Sequence, residues 1–380
     1  MTKIYLIRHA EAEGNLYRIA QGQYNSILTD LGQQQVRALE RRFADVPIDA
    51  VYASDLYRTC ATAAAIYIPK KLPLHRRRDL REICVGVWEQ KTWGEIARTD
   101  PEQMENFSHR LHLWHAEGAE TPVQVRDRVL RAVEEIAAEN EGRTVAVFSH
   151  GCAIRILLAT VQGYSLERLG ETPTGCNTAV SLLEWENGKL RVVYRDDASH
   201  LEDPRFTGGA VLKKHPNALE PGLWFRPLTL PEDAAFFTGC VEGVWPESGR
   251  TAPFDPDRLL AGADGRVTLV GCLPEGPVGV VQLDPARDAE TERGCITLLC
   301  LPQKFRQRGF GVQLLGQAVA HYRPLGRKYL RAVLEPADET GRAFFTRYGF
   351  ACTGQTPDGR EMFEKDISYH PEFLGDSPEK

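Results

Sequence analysis

The sequence predicts an α/β protein of two domains, and three observations carry that prediction. The chain has 380 residues, more than a single hydrophobic core usually organises. In its first half, short apolar segments alternate with segments of helical periodicity, as in a parallel sheet wrapped by helices. The periodicity stops over residues 198–221, where Gly208-Gly209, Lys and Pro gather, and a strand-turn-helix pattern restarts in LWFRPLTLPEDAAFF. The expected division is a first domain over 1–200, a linker over 201–221, a second domain over 222–367 and a tail over 368–380.

In order along the first domain, strands are expected at 3–7, 50–53 and 144–148, short and apolar as strands covered on both faces are. Helices are expected at 29–43, 58–67, 123–139 and 153–161, the first opened by the Thr29-Asp30 cap. AVSLLEW and LRVVYR, parted by Glu186-Asn187-Gly188-Lys189, read as a hairpin. In the second domain the spacing predicts strands at 267–272, 278–283 and 295–301, a helix at 310–321, a strand at 329–334 and a helix at 340–347.

Composition narrows the class of function. A hydrophobic content of 42% and a charged content of 26% are those of an ordinary soluble globular protein. The net charge of -6 argues against nucleic acid or an anionic membrane as the main partner. There is no apolar run of about 18 residues, and the N-terminus enters a strand without a signal-peptide profile, so a cytoplasmic protein is expected. Nine scattered cysteines, with no CxxC pair, indicate neither a disulfide framework nor a zinc site.

The chemistry starts at Arg8-His9, which close the first strand. Ligands of parallel sheets bind at that end of the strands. Displacement at phosphorus needs a nucleophile, cationic donors around the non-bridging oxygens and an acid for the leaving group. Arg58 follows the second strand, Glu82 lies in a loop, and His150-Gly151 end the strand VAVFS.

The stretches IRHAEAEGN, LTDLG, YASDLYRTCATA, LREICVGVWEQ, GAETPVQVRDRV and VFSHGCAIR resemble, in order, the motifs of the histidine phosphatase superfamily, which includes the phosphoglycerate mutases. The resemblance implies a phosphoglycerate mutase-like three-layer α/β/α domain with a mainly parallel sheet, acting on a small phosphorylated metabolite without metal. His9 would be the nucleophile that becomes phosphohistidine. Arg8, Asn15, Arg58, His150 and Gly151 would bind the phosphoryl group, and Glu82 would protonate the leaving alkoxide. Ala10 stands where glycine is usual, which adds a methyl near the phosphate. His109, His112 and His115 are expected to belong to an amphipathic cap over the site, with Trp114 shaping the leaving-group pocket, and not to hold a metal. A phosphoglycerate-type mutase is the alternative activity.

In the second domain, CITLLCLPQKFRQRGFGVQLLGQAV runs from strand through a glycine turn into a helix, where backbone N–H groups can cradle a pyrophosphate. Arg306, Gly309 and Gly311, with WFRPLTLPEDA and GRAFFTRYGF, resemble the GNAT N-acetyltransferase family. That implies a mixed α/β domain binding acetyl-CoA through Leu299, Leu301, Arg306, Gln307, Arg308, Gly309, Phe310 and Gly311, with an amine as acceptor. Phe345 stands where many relatives have a tyrosine that protonates the departing thiolate, and Tyr348 or water would replace it. Glu275 and Glu335 both remain as candidate bases. The alternative is an acyl-CoA-binding regulatory module.

Overall fold

The computed structural model describes residues 1–213, 222–244 and 265–374. The linker's residues 214–221 and the tail's 375–380 lie outside the described residues. The chain clusters into two compact units. One comprises Met1–Lys91, Thr99–His215 and Tyr369–Lys380, and the other Thr92–Arg98 and Pro216–Ser368.

The first unit holds a six-stranded sheet. Strands β1 (Thr2–Arg8), β2 (Ala50–Ser54), β3 (Leu74–Arg77) and β4 (Thr144–Ser149) are parallel in the order β3-β2-β4-β1. The hairpin of β5 (Val180–Glu186) and β6 (Lys189–Asp197) closes the other edge, with β5 antiparallel to β1. Residues of alternate parity in the central strands face opposite sides. Ile7, Val51, Ala146 and Phe148 pack with Leu39 and Phe43 of α2 (Asp30–Phe43) and with Ala63 and Ile66 of α3 (Tyr57–Lys70). Helices α6 (Pro122–Glu139) and α7 (Gly151–Val161) contact the strands from the layer beyond. Burial on both faces is why the middles of β1, β2 and β4 are apolar.

The sequence reading passed over β3. Its residues LHRR are half exposed on the sheet edge, so no apolar pattern marks them. Helices α1 (Glu13–Tyr17), α4 (Trp93–Thr99), α5 (Pro101–His109) and α8 (Pro204–Thr207) were also not anticipated. At 4 to 9 residues they are too short to show helical periodicity.

The second unit is a seven-stranded sheet in the order β12-β13-β11-β10-β9-β8-β7. Its strands are β7 (Trp224–Pro227), β8 (Val267–Leu273), β9 (Gly276–Asp284), β10 (Arg293–Cys300), β11 (Tyr329–Leu334), β12 (Ala351–Gln355) and β13 (Glu361–Asp366). Among the described residues of this unit only β10 and β11 pair in parallel. The unit also contains α9 (Ala234–Val244), α10 (Phe310–Tyr322) and α11 (Glu339–Arg347). The edge strand β12 and its neighbour β13 are polar and largely not buried, so no apolar pattern marks them either. No helix among the described residues is long and apolar enough to cross a membrane.

Candidate active site

Four parallel strands bring the polar residues of the first unit to one end. Arg8 is the last residue of β1 and His9 follows it; His150 follows β4 and caps α7; Arg58 sits in the first turn of α3, which leaves β2. His9 is 3% exposed, and Arg58 and His150 are fully buried. The two imidazole rings lie 5.3 Å apart between centroids.

The hydrogen bonds of His9 define its reactive face. Its Nδ1 lies 2.7 Å from the carbonyl of Ala10. A carbonyl can only accept, so Nδ1 carries the proton and Nε2 keeps its lone pair. Burial, followed by the Arg58 and Arg8 cations, holds the His9 pKa well below its usual 6.5. The ring is therefore a neutral base. The carbonyl of His9 accepts from Asn177 Nδ2 at 3.0 Å, which anchors the backbone behind it.

The cations around His9 are held from their outer ends. Arg58 donates through Nη1 to the Tyr24 carbonyl at 2.8 Å and through Nη2 to the Gly22 carbonyl at 2.8 Å. Arg8 donates through Nη1 to the Gly175 carbonyl at 2.6 Å. His150 Nε2 meets Ser54 Oγ at 2.9 Å. Arg8 Nε, Arg58 Nε and His150 Nδ1 are buried without a hydrogen-bond partner. Native structures rarely leave buried polar groups unpaired; Arg8 Nε and Arg58 Nε are donors, and His150 Nδ1 donates or accepts according to which ring nitrogen bonds Ser54. Burial lowers the Arg8 pKa and depresses that of Arg58 to about 10, and it also drives His150 well below its usual value, with Arg58 adding to the effect.

Glu82 reaches the same place from its loop. Its carboxylate accepts the N–H groups of Cys152 at 3.0 Å and Ala153 at 2.9 Å, in the first turn of α7, where a negative charge is favoured. Gly151 is required by close approach: a Cβ there would lie 3.0 Å from Arg8 Cζ. Asn15 Oδ1 accepts from the Ala12 N–H at 3.1 Å, which turns its amide donor the other way. The extra methyl of Ala10 sits in an apolar cluster with Leu28, Tyr57 and Ala61, where it is accommodated. His109 ends α5, His112 lies in a 3-10 turn and His115 follows it. Beside them Trp114 joins Trp88 and Phe107 in a cluster with centroids 5.1 to 5.7 Å apart.

Several supporting residues went unread in the sequence. Glu89 accepts from the N–H groups of Gly22, Gln23 and Tyr24 and so orders the loop whose carbonyls hold Arg58. Asn177 and Gly175 act from positions remote in sequence, with nothing in their neighbours to mark them, whereas Ser54 lies within YASDLYRTCATA. The signal for Glu89 was its place in LREICVGVWEQ.

In the second unit, β10 pairs with β11 only from Arg293 to Ile296. Beyond a bulge at Ile296/Leu298 it continues along β9 alone, so the strands part and Leu299 lies where β10 has no partner on its β11 side. Gly309 caps α10 with φ +79°, a left-handed conformation that favours glycine. Gln307 shares that region with φ +61°. Arg306 Nε donates to the Leu301 carbonyl at 3.1 Å. Phe310 is buried beneath the Arg308 guanidinium, 5.1 Å from its ring centroid. A Cβ on Gly311 would meet the Phe344 ring at 2.8 Å. Phe345 is itself buried in contact with Phe344 and Phe350.

Residues 4–198 match the histidine phosphatase superfamily (branch 1) profile, about half of the chain. The chain belongs to the histidine phosphatase superfamily. Residues 234–350 match the acetyltransferase (GNAT) family. This histidine phosphatase is 28% identical to phosphoserine phosphatase 1 of Hydrogenobacter thermophilus, over 53% of this chain and 95% of that protein. It is 32% identical to the metal-independent phosphoserine phosphatase of Arabidopsis thaliana, over 54% of this chain and 86% of that one. The structure of Bacillus stearothermophilus YhfR matches with a TM-score of 0.51 at 34% identity, covering 53% of this chain and 99% of that chain. The first unit thus has the phosphoglycerate mutase-like fold, and the second carries a GNAT domain.

Proposed function

We propose that this protein hydrolyses a small phosphomonoester through a phosphohistidine, and that its second unit is an acetyl-CoA-dependent N-acetyltransferase. The observation that carries the first activity is the pair of buried, unpartnered Nε donors on Arg8 and Arg58, with the unpartnered Nδ1 of His150, around a histidine with its Nε2 lone pair available. His9 Nε2 attacks phosphorus, the bond from phosphorus to the alcohol oxygen breaks, and Glu82 delivers a proton to that oxygen. Water then attacks the phosphohistidine, gives its proton to Glu82 and releases inorganic phosphate with His9 restored. Arg8, Asn15, Arg58, His150 and the Gly151 turn hold the transferring oxygens, and the two guanidinium groups supply the charge neutralisation that a metal provides elsewhere. Two relatives are named for phosphoserine, which makes it the first substrate to test. Hydrolysis is favoured over mutase transfer, and a cytoplasmic location fits both activities.

For the second unit, the parting of β10 from β11 and the left-handed Gly309 at the start of α10 fit a pantetheine arm and a pyrophosphate. Leu299 and Leu301 would meet the arm, and the turn from Arg306 to Gly311 the phosphates. Acetyl-CoA bound there supplies an activated acyl thioester. Phe345 offers no proton, so the thiolate takes one from Tyr348 or water.

The test is the phosphoenzyme. A pulse of labelled phosphoserine should give an acid-labile phosphoprotein in the parent and none in His9→Ala. Equal phosphate release by both would refute the mechanism.

A further inference from the structure

The described residues at the C-terminus do not trail away from the first unit. Although they follow β13 of the other sheet, residues 369–374 belong to the phosphatase unit. Tyr369 and Phe373 pack edge-on against Tyr57, with ring centroids 5.5 and 5.7 Å away. Both adjoin the cluster that contains Ala10 and Ala61. The His370 N–H points to Tyr57 Oη at 3.4 Å, and Arg76 donates to the Glu372 carbonyl at 2.9 Å.

The contacts lead to the phosphate site. Tyr369 Oη donates to the Asn25 carbonyl at 2.9 Å, and Asn25 Oδ1 accepts the Tyr57 N–H at 2.9 Å. Tyr57 precedes Arg58, and Tyr24, which precedes Asn25, accepts from the Arg58 guanidinium. Glu89 therefore holds the loop of Gly22 to Tyr24 by its N–H groups, and Tyr369 holds its far end by a carbonyl. Tyr57, the chain neighbour of Arg58, lies against the aromatic rings of the returning segment, which pack on the cluster that also holds Ala10, the neighbour of His9.

We propose that residues 369–374 form a strap that positions Arg58 and the His9 turn for phosphate, so that the second domain is an insertion between the phosphatase and its own last element. Tyr369 is a positioning residue, acting through Asn25 and Tyr57. The proposal rests on the phosphatase reading of the site.

The test compares the full chain, Tyr369→Phe, Tyr369→Ala and a chain ended after Ser368. Orthovanadate affinity is read by calorimetry, turnover with p-nitrophenyl phosphate, and folding by the urea midpoint. Loss of the hydroxyl alone should weaken vanadate by up to about fivefold, the worth of one hydrogen bond, with only a small fall in the midpoint. Loss of the strap should weaken it by about tenfold or more, and a peptide of residues 366–374 added in trans should restore binding. Equal affinity in the parent and the shortened chain overturns the strap. So does a loss that follows the urea midpoint and resists the peptide. A parent without turnover overturns the phosphatase reading alone, since vanadate affinity still reports on the strap.

Discussion

Replacing Arg58 with methionine separates the stability of the site from its function. Burial lowers the Arg58 pKa from its ordinary 12.5 to about 10, which corresponds to about 3 kcal/mol at neutral pH. The folded-state value lies below the unfolded one. The cost is therefore present in full at every pH below about 10 and eases only as pH rises from there towards 12.5. Arg58→Met removes that cost and keeps most of the volume. It also takes the charged donors from the carbonyls of Tyr24 and Gly22, a loss of about 1.5 to 3 kcal/mol each. The two effects oppose one another, so the ligand-free variant should be less stable than the parent by no more than about 3 kcal/mol. The parent should gain about 2.7 kcal/mol from vanadate at a hundred times its dissociation constant, and Arg58→Met should gain almost nothing at the same concentration. Urea titrations with and without vanadate measure both quantities. A ligand-free loss above about 4 kcal/mol would mean that Arg58 is chiefly a structural cation. Retained vanadate stabilisation would mean that the unpaired Nε does not meet the anion.

Three further outcomes follow from individual contacts. Glu82→Gln should slow phosphoenzyme formation from an alkyl phosphate by about 10²- to 10⁴-fold, the usual worth of a general acid, and leave phosphoenzyme formation from p-nitrophenyl phosphate nearly untouched because that leaving group needs no proton; equal losses in this first step would remove Glu82 from the acid role. His200 is fully buried, and burial followed by the Arg42 charge lowers its pKa to about 3. The unfolded chain then takes up a proton near pH 6.5 that the folded one refuses, so this residue's contribution to stability should fall by about 1.4 kcal/mol per pH unit from 6.5 down towards 3, and His200→Gln should flatten the urea midpoint's pH dependence. Gly309→Ala forces a Cβ into the left-handed region at a cost of about 1 kcal/mol and should weaken acetyl-CoA binding in calorimetry without altering p-nitrophenyl phosphate turnover.

The legible parts of this protein are those where one physical demand dominates a stretch of chain. Strands β1, β2 and β4 are buried on both faces and so read as apolar runs. Helix α2 opens on Thr29, whose hydroxyl accepts from the Gly32 N–H at 3.0 Å, so the cap seen in the sequence is a bond in the structure. His9, Arg58 and His150 stand at strand ends within extended motifs, and local context exposes them. The unread parts answer to partners far along the chain. Asn177 touches the His9 carbonyl across 168 positions, and Tyr369 reaches Asn25 across 344. No local pattern encodes such a contact, because what the loop requires is an amide or a hydroxyl at one point in space.

The returning strap also changes what a separation of the two halves would mean. A chain ended at residue 213 keeps β1 to β6 and each side chain proposed to bind phosphate, yet it lacks Tyr369 and Phe373. Tyr57 and the Ala10 cluster would then face solvent, and Asn25 would lose the hydroxyl that fixes its carbonyl. Slower phosphatase turnover in that chain would look like communication from the acetyltransferase, although a missing element of the phosphatase accounts for it. Adding the strap peptide distinguishes the two. Recovery towards the full-chain rate assigns the loss to the strap and leaves the halves catalytically independent. If the peptide restores vanadate affinity while turnover stays low, the second domain contributes more than the segment it carries back, and independence is refuted.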